Sequence, residues 1–321
     1  MTAFLTSVSS IVVIVLIMLL GYVLRRAGWL ADSFAGNISK IITQIALPAS
    51  IFISVQNNLT RGKLLNLFAG LLLPALGVVI SYVIAFILVK IIKVPVGRRG
   101  TFINTIANAN TIFIGMPLNV ALFGNEAMPY FLIYYIINTV STWAFGVFLI
   151  KNDDPTLINK EKQEHKIEWK KLLPMPLVGF IVAVLWLLTG LKLPTFASQT
   201  FTYVGNLVTP MSLIYIGIVL ANSGIKNVKF DKDTIVALLG RFILAPLVMI
   251  LLIRLVAPAI GFSMAPLMSK TFIVQSATPA LAVLPVLANE AHGDVDYATN
   301  VVVLSTILFI VVVPILMLII G

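Results

Sequence analysis

Residues 108–118 read NANTIFIGMPL, and residues 266–290 read PLMSKTFIVQSATPALAVLPVLANE. Both are mostly apolar, yet each gathers small neutral hydrogen-bonding side chains close to glycine or proline. In the first these are Asn108, Asn110 and Thr111, followed by Gly115 and Pro117; in the second, Gln275, Ser276 and Thr278 with Pro279. Proline removes an internal helix hydrogen bond and pushes off the carbonyl four residues back. In lipid the freed backbone groups must be satisfied by protein or by a water-lined cavity. Half-helix N-termini at such breaks carry partial positive charge and free N–H groups. Amides and hydroxyls beside them add neutral donors and acceptors. That combination suits a carboxylate, which needs several donors but is released readily when no fixed cation holds it. Asn104, Asn138 and Arg241 are expected to support these residues or to attract the anion.

Arg241 lies about 12 Å into its span, at roughly 1.5 Å per residue. Such an arginine has two readings. Its side chain either snorkels to the headgroups or faces a cavity and draws in an anion. Arg254, near the far end of the same stretch, reads as interfacial. No aspartate or glutamate falls clearly at mid-depth, which speaks against a carboxylate proton relay, and His292 sits in a link. With no cysteine and two histidines, neither a disulfide nor a protein-built metal centre is expected. No cofactor is implied. No nucleophile with a base, and no pair of acids, falls within the apolar stretches, so the chain does not read as an enzyme.

The elements that must position these residues are apolar helices. The 321 residues are 60% hydrophobic and 11% charged, with a mean hydropathy of +1.05. A soluble domain carries about 25% charged residues, so the chain reads as an all-α integral membrane protein embedded in a lipid bilayer. Ten candidate spans fall near 6–24, 38–57, 66–90, 101–123, 128–150, 172–190, 199–222, 234–257, 267–288 and 296–320. Arg25 and Arg26 follow the first stretch, so it reads as a span and not as a signal peptide. The net charge of +10 sits in short links and not on a foldable soluble domain, so no nucleic-acid partner is expected.

Positive residues concentrate after spans one, three, five and seven, including Arg25, Arg26, Lys93, Arg98, Arg99, Lys226, Lys229 and Lys232. Those links, with the charged linker 151–171, are expected to be cytoplasmic and both termini outside. The link after span nine, with Glu290, Asp294 and Asp296, runs against this trend. The linker divides the chain into five-span halves, 1–150 and 172–321. An odd number of spans places similar halves upside down relative to each other. Ala46–Ser50 with Val208–Ser212, Pro74 with Pro246, and Gly124–Ala127 with Ala288–Ala291 recur in the same order. The pattern predicts an inverted five-plus-five repeat, with spans four and nine broken at prolines and crossing near the midplane. That is a transporter architecture.

Together these residues resemble the auxin efflux carrier family, within the bile acid/arsenite/riboflavin transporter superfamily. Asn110-Thr111-Ile112-Phe113-Ile114-Gly115-Met116-Pro117 looks like the family's Asn-Thr-x-x-x-Gly-x-Pro. Val274-Gln275 with Pro279 and Pro285 is similar to the ninth-span crossover. Arg241-Phe242 with Pro246, Val248 and Met249 is similar to the eighth span, and Trp169-Lys170-Lys171-Leu172 to the start of the sixth. The resemblance implies that spans one, two, six and seven form a scaffold, often a homodimer, and that spans three to five and eight to ten form a mobile transport domain. It also implies that Asn110 holds the substrate carboxylate. The expected activity is alternating-access transport of a small organic anion, malate or a related dicarboxylate, across a bacterial plasma membrane. Carriage of aromatic or other monocarboxylates, or sodium-coupled symport, is the alternative. The chain departs from plant members in having Leu172-Leu173-Pro174-Met175-Pro176 without an asparagine, a longer Pro279–Pro285 spacing and a short central loop. These departures favour a small organic acid over auxin.

Overall fold

The computed structural model describes residues 2–31, 33–60, 62, 70–157, 174–223 and 229–321. The Trp169–Leu172 motif, most of the charged linker and Lys226 lie outside the described residues. Every regular element among the described residues is helical, as lipid demands of a chain whose backbone groups must be satisfied internally. The first half contains α1 Thr2–Arg26, α2 Phe34–Asn58, α3 Leu72–Ile92, α4 Arg99–Ala107, α5 Met116–Phe123 and α6 Asn125–Lys151. After the linker come α7 Met175–Thr189, α8 Thr195–Gly205, α9 Val208–Ser223, α10 Lys232–Ala259, α11 Pro266–Ser276, α12 Leu284–Glu290 and α13 Val295–Ile320.

Among the described residues, eight helical stretches are long and apolar enough to cross a membrane, with α4–α5 and α8–α9 each counted as one. The chain is a multi-pass membrane protein. The two remaining expected spans correspond to α7, a shorter apolar helix, and to the interrupted pair α11 and α12. Large apolar side chains stay exposed along the outer faces, for example Val12, Leu16, Leu19 and Val23 on α1 and Leu247, Leu251 and Leu255 on α10. In a bilayer these contact acyl chains.

Two groups of helices pack within themselves. In the first, α1 packs on α9, while α2 packs on α7 and α8. The α1–α9 contact is backbone to backbone. A Cβ on Gly21 would lie 2.8 Å from the Ile214 Cα, and one on Gly217 would lie 2.7 Å from the Tyr22 nitrogen. Only glycine allows this approach, the usual device where apolar contact alone gives no driving force between helices in lipid. In the second group, α3 packs on α4, α10 on α3, α4 and α11, and α12 on α6 and α13.

One end of the second group is tied by charge. The Arg98 guanidinium, just before α4, donates to Asp231 and to Asp294, each at 2.7 Å, and lies 3.5 Å from Asp233. Its carbon sits 4.9 Å from the centre of the Tyr297 ring. Asp231 and Asp294 are also the N-caps of α10 and α13, accepting from the Thr234 and Tyr297 N–H groups, each at 2.8 Å. Of the acids after span nine that ran against the charge trend, Asp294 is thus the partner of an arginine in an earlier link. Burial opposes the Arg98 charge, but hydrogen bonds and attraction from Asp294 and Asp231 outweigh it and hold its pKa above the ordinary value. Burial likewise opposes the Asp231 carboxylate, yet the Thr234 hydrogen bonds and then Arg98 keep its pKa below the usual range. A lowered carboxylate pKa gives stability that is complete above the unfolded value, about 3.9, and is lost as pH falls through the folded value.

Asp294 therefore serves as both cap and ion-pair partner. Asp294→Asn keeps a capping oxygen and should lower unfolding stability in detergent by less than about 1 kcal/mol, as for a partly exposed pair. Asp294→Ala should cost about 1 kcal/mol more, the usual value of a lost cap. Equal losses in thermal unfolding would show that the cap contributes nothing.

Candidate functional site

Helix α4 stops at Ala107, and Asn108 is extended, with φ −110° and ψ 143°. The chain resumes as a wide helical turn, Thr111–Gly115, and continues into α5. The second interruption follows α11 and occupies residues 277–283, before α12. The two interruptions touch, because the Asn110 N–H donates to the Pro279 carbonyl at 2.8 Å. Pro279 lies inside its break, as the sequence suggests. Pro117 does not: it sits in the first turn of α5, beyond the break at 108–110. There the wide turn Thr111–Gly115 that precedes it accommodates the ring and the missing N–H without ending the helix. The first break is made instead by amide side chains that offer the backbone other partners.

Each break is buttressed by one polar side chain from the helix that ends its half. Asn138 of α6 accepts from the Ala109 N–H at 2.8 Å and donates to the Ala109 carbonyl at 2.9 Å, standing in for a strand partner. It also reaches the Thr111 hydroxyl at 3.4 Å. Ser305 of α13 accepts from the Ala280 N–H at 3.1 Å. Both side chains are buried.

The asparagines expected to act together separate into two settings. Asn108 donates to the Tyr82 hydroxyl at 2.7 Å and to Asn104 Oδ1 at 2.8 Å, and accepts from the Ser141 hydroxyl at 2.6 Å. Asn104 in turn donates to the Gly100 and Gly146 carbonyls at 2.8 and 2.9 Å. This network stitches α3, α4 and α6 together and leaves Asn108 no free donor. Asn110 differs. Its oxygen caps the wide turn by accepting from the Phe113 N–H at 3.2 Å, while its Nδ2 is buried without a partner.

Around Asn110 the structure gathers Thr111, Gly115, Gln275, Ser276, Thr278 and Pro279, all buried. Gln275 Nε2 donates to the Gly115 carbonyl at 2.8 Å, and its Oε1 has no partner. A Cβ on Gly115 would run into that Oε1, so glycine is what lets the two breaks close on each other. The Ser276 and Thr278 hydroxyls bond back to the Ile273 and Gln275 carbonyls at 2.7 and 2.9 Å, holding the end of α11. Arg241 is fully buried at 0% exposure, so it does not snorkel. Its Nη2 donates to the Ser276 carbonyl at the C-terminus of α11, where the helix dipole favours a cation. Its other polar neighbour is the Tyr134 hydroxyl, and Nε and Nη1 have no partner. No carboxylate pairs with it among the described residues.

Tyr82, Ser141, Ser305 and Tyr134 complete these networks and are not evident from motif spacing. The one signal for Ser305 and Ser141 is a recurrent hydroxyl pair, Ser305-Thr306 and Ser141-Thr142, within a membrane-depth stretch.

Buried amides, a buried arginine with no carboxylate partner among the described residues and two interlocked helix breaks inside a multi-pass helical protein define a membrane protein with a polar centre built into its interior. The family described as membrane transport protein matches residues 6–317. An uncharacterised transporter of Methanothermobacter thermautotrophicus is 24% identical over 319 residues, covering 97% of each chain. An uncharacterised transporter of Methanocaldococcus jannaschii is 21% identical over 300 residues, covering 92% of this chain and 93% of its own. The chain belongs to the membrane transport protein family, that of the auxin efflux carriers, as its motifs suggest.

The different settings of the two asparagines predict different losses. Asn108→Ala strands the Tyr82 and Ser141 hydroxyls and should lower stability in detergent by about 2–3 kcal/mol. Asn110→Ala removes a cap and should cost only about 1 kcal/mol. Thermal unfolding of the two purified variants makes the comparison, and the reverse order would exchange their roles.

Proposed function

We propose that the chain is a ten-span secondary transporter of small organic anions, with malate or a related dicarboxylate as substrate. It has an inverted five-plus-five repeat whose fourth and ninth spans cross near the midplane. One observation carries the substrate class: unpaired buried donors on Asn110 and Arg241 flank a junction of two interrupted helices that holds no paired acid. Donors of that kind call for an anion. An arginine buried without a counter-charge costs several kcal/mol, and a bound carboxylate removes that cost. The free Gln275 Oε1 is an acceptor, which suits the hydroxyl of a hydroxy acid. In this reading Asn110 and Gln275 touch the substrate with Thr111, Gly115 and Pro279. Arg241 supplies charge, and Asn138 and Ser305 hold the two breaks in shape.

The matching duties of Asn138 at the end of one half and Ser305 at the end of the other support the repeat. The packing of α1 and α2 on α7, α8 and α9 supports a scaffold against which the remaining helices move in alternating access. A homodimer through that scaffold, a cell-membrane location, termini outside and a cytoplasmic linker 151–171 complete the proposal.

Uptake of labelled L-malate into proteoliposomes tests it, with membrane potential and pH gradient imposed separately. Uptake should follow an inside-positive potential, since each charge gains about 2.3 kcal/mol per 100 mV. Asn110→Ala should abolish it in folded protein, and Arg241→Gln should weaken malate binding at least about tenfold more than Arg254→Gln. Full transport by the Asn110 variant would remove the site, and equal small effects of the arginine variants would remove the role of Arg241.

A further inference from the structure

The Gln275–Gly115 hydrogen bond fixes how α11 and α5 face each other. Residues four apart share a face of a helix. One turn beyond Gly115 along α5 stands Asn119; one turn before Gln275 along α11 stands Thr271. The two helices run in opposite senses. The C-terminus of α11 meets the start of α5, and α11 also packs on α5 and on the turn Asn125–Ala127 beyond its far end. Asn119 and Thr271 therefore lie across the same interface, about 5.4 Å along the helices from the crossover.

Both are 0% exposed. Neither amide atom of Asn119 has a hydrogen-bond partner, and neither has the Thr271 hydroxyl. Their chain neighbours Leu118, Val120 and Phe272 are apolar, and Lys270, before Thr271, turns to the Gly321 carbonyl, so a leucine and a valine would fill this interface without leaving polar groups unpaired. Buried groups left unpaired in this way call for a partner the protein itself does not supply.

We infer that Asn119 and Thr271 form a second polar subsite, which takes the distal oxygen-bearing group of the transported acid. The inference rests on the reading of the crossover as the site of the first carboxylate. The subsite is neutral and offers both donors and acceptors, so a second carboxylate or a hydroxyl satisfies it. A four-carbon acid reaches across about one helical turn, roughly 5.4 Å. A hydrocarbon or aromatic tail leaves the amide and hydroxyl unpaired, and a site built to hydrogen-bond rejects such an analogue strongly. Asn119 and Thr271 are thus specificity residues that favour a dicarboxylate over a monocarboxylate.

Calorimetric binding of L-malate and of butyrate to the detergent-solubilised full chain tests this through the ratio of their affinities. That ratio does not move when a substitution merely loosens the fold. The unmodified protein should prefer malate, and Thr271→Val and Asn119→Leu should each reduce the preference about tenfold, the effect of one hydrogen bond to a charged group. Thr271→Ser, which keeps the hydroxyl, should retain it. Thr271→Val is nearly isosteric and decides the matter alone if the Asn119 variant does not fold. An unchanged ratio would mean that a water molecule bridges the pair and would overturn the subsite. Equal affinity of the unmodified protein for both acids would overturn the subsite while leaving the crossover reading intact. Binding of neither acid would remove both.

Discussion

The hydrogen bond from the Asn110 N–H to the Pro279 carbonyl is the point on which the interior is organised. Two helices end in the middle of an apolar body, where no water waits to receive their loose backbone groups. The breaks survive because each is the other's partner and because Asn138 takes up the Ala109 N–H and carbonyl and Ser305 the Ala280 N–H. Polar residues at this depth are therefore of two kinds. Some exist to make an irregular backbone tolerable in hydrocarbon. Others are left with unused hydrogen-bonding capacity.

This division separates residues that look alike. Asn104, Asn108 and Asn138 spend every side-chain donor on the protein, whereas Asn110 and Arg241 do not. Solvent access does not separate them, since all five are buried. What differs is the balance of donors and acceptors around each. Arg241 extends the same logic to charge. Its one backbone acceptor is the carbonyl end of α11, which steadies a cation without neutralising it.

Helix content, the two breaks and the polar set near them were legible because lipid leaves few ways to place an amide or a proline in an apolar run. Pro279 is such a case, with the break where the proline stands. Pro117 shows the limit. A proline signals a break only when the helix cannot absorb it, and here the wide turn Thr111–Gly115 does so. The separation of Asn108 from Asn110 was illegible for a related reason. They stand only two residues apart, yet they meet different neighbours, and Tyr82 and Ser141 come from distant parts of the chain. Ser305 was hidden likewise: its hydroxyl donates back to the Val302 carbonyl, as helix serines do, and that its oxygen also accepts from Ala280 depends on a distant segment. Asn119 and Thr271 stood in plain view, but their lack of partners emerges only once α5 and α11 are set side by side.

The Arg98 cluster bears on how the chain is made. Before the helices meet, Arg98 is an uncompensated positive charge beside Lys93 and Arg99 in a short link, and Asp294 lies 196 positions away in a segment synthesised much later. On the orientation proposed above, the unpaired arginine can act during insertion as a topological anchor that holds its link on the cytoplasmic side. Asp231 arrives with α10 and Asp294 only with the last helix, and the same guanidinium then fastens the starts of α10 and α13 beside that of α4. One side chain thus serves biogenesis first and architecture afterwards, and completion of the final helix is what converts one role into the other.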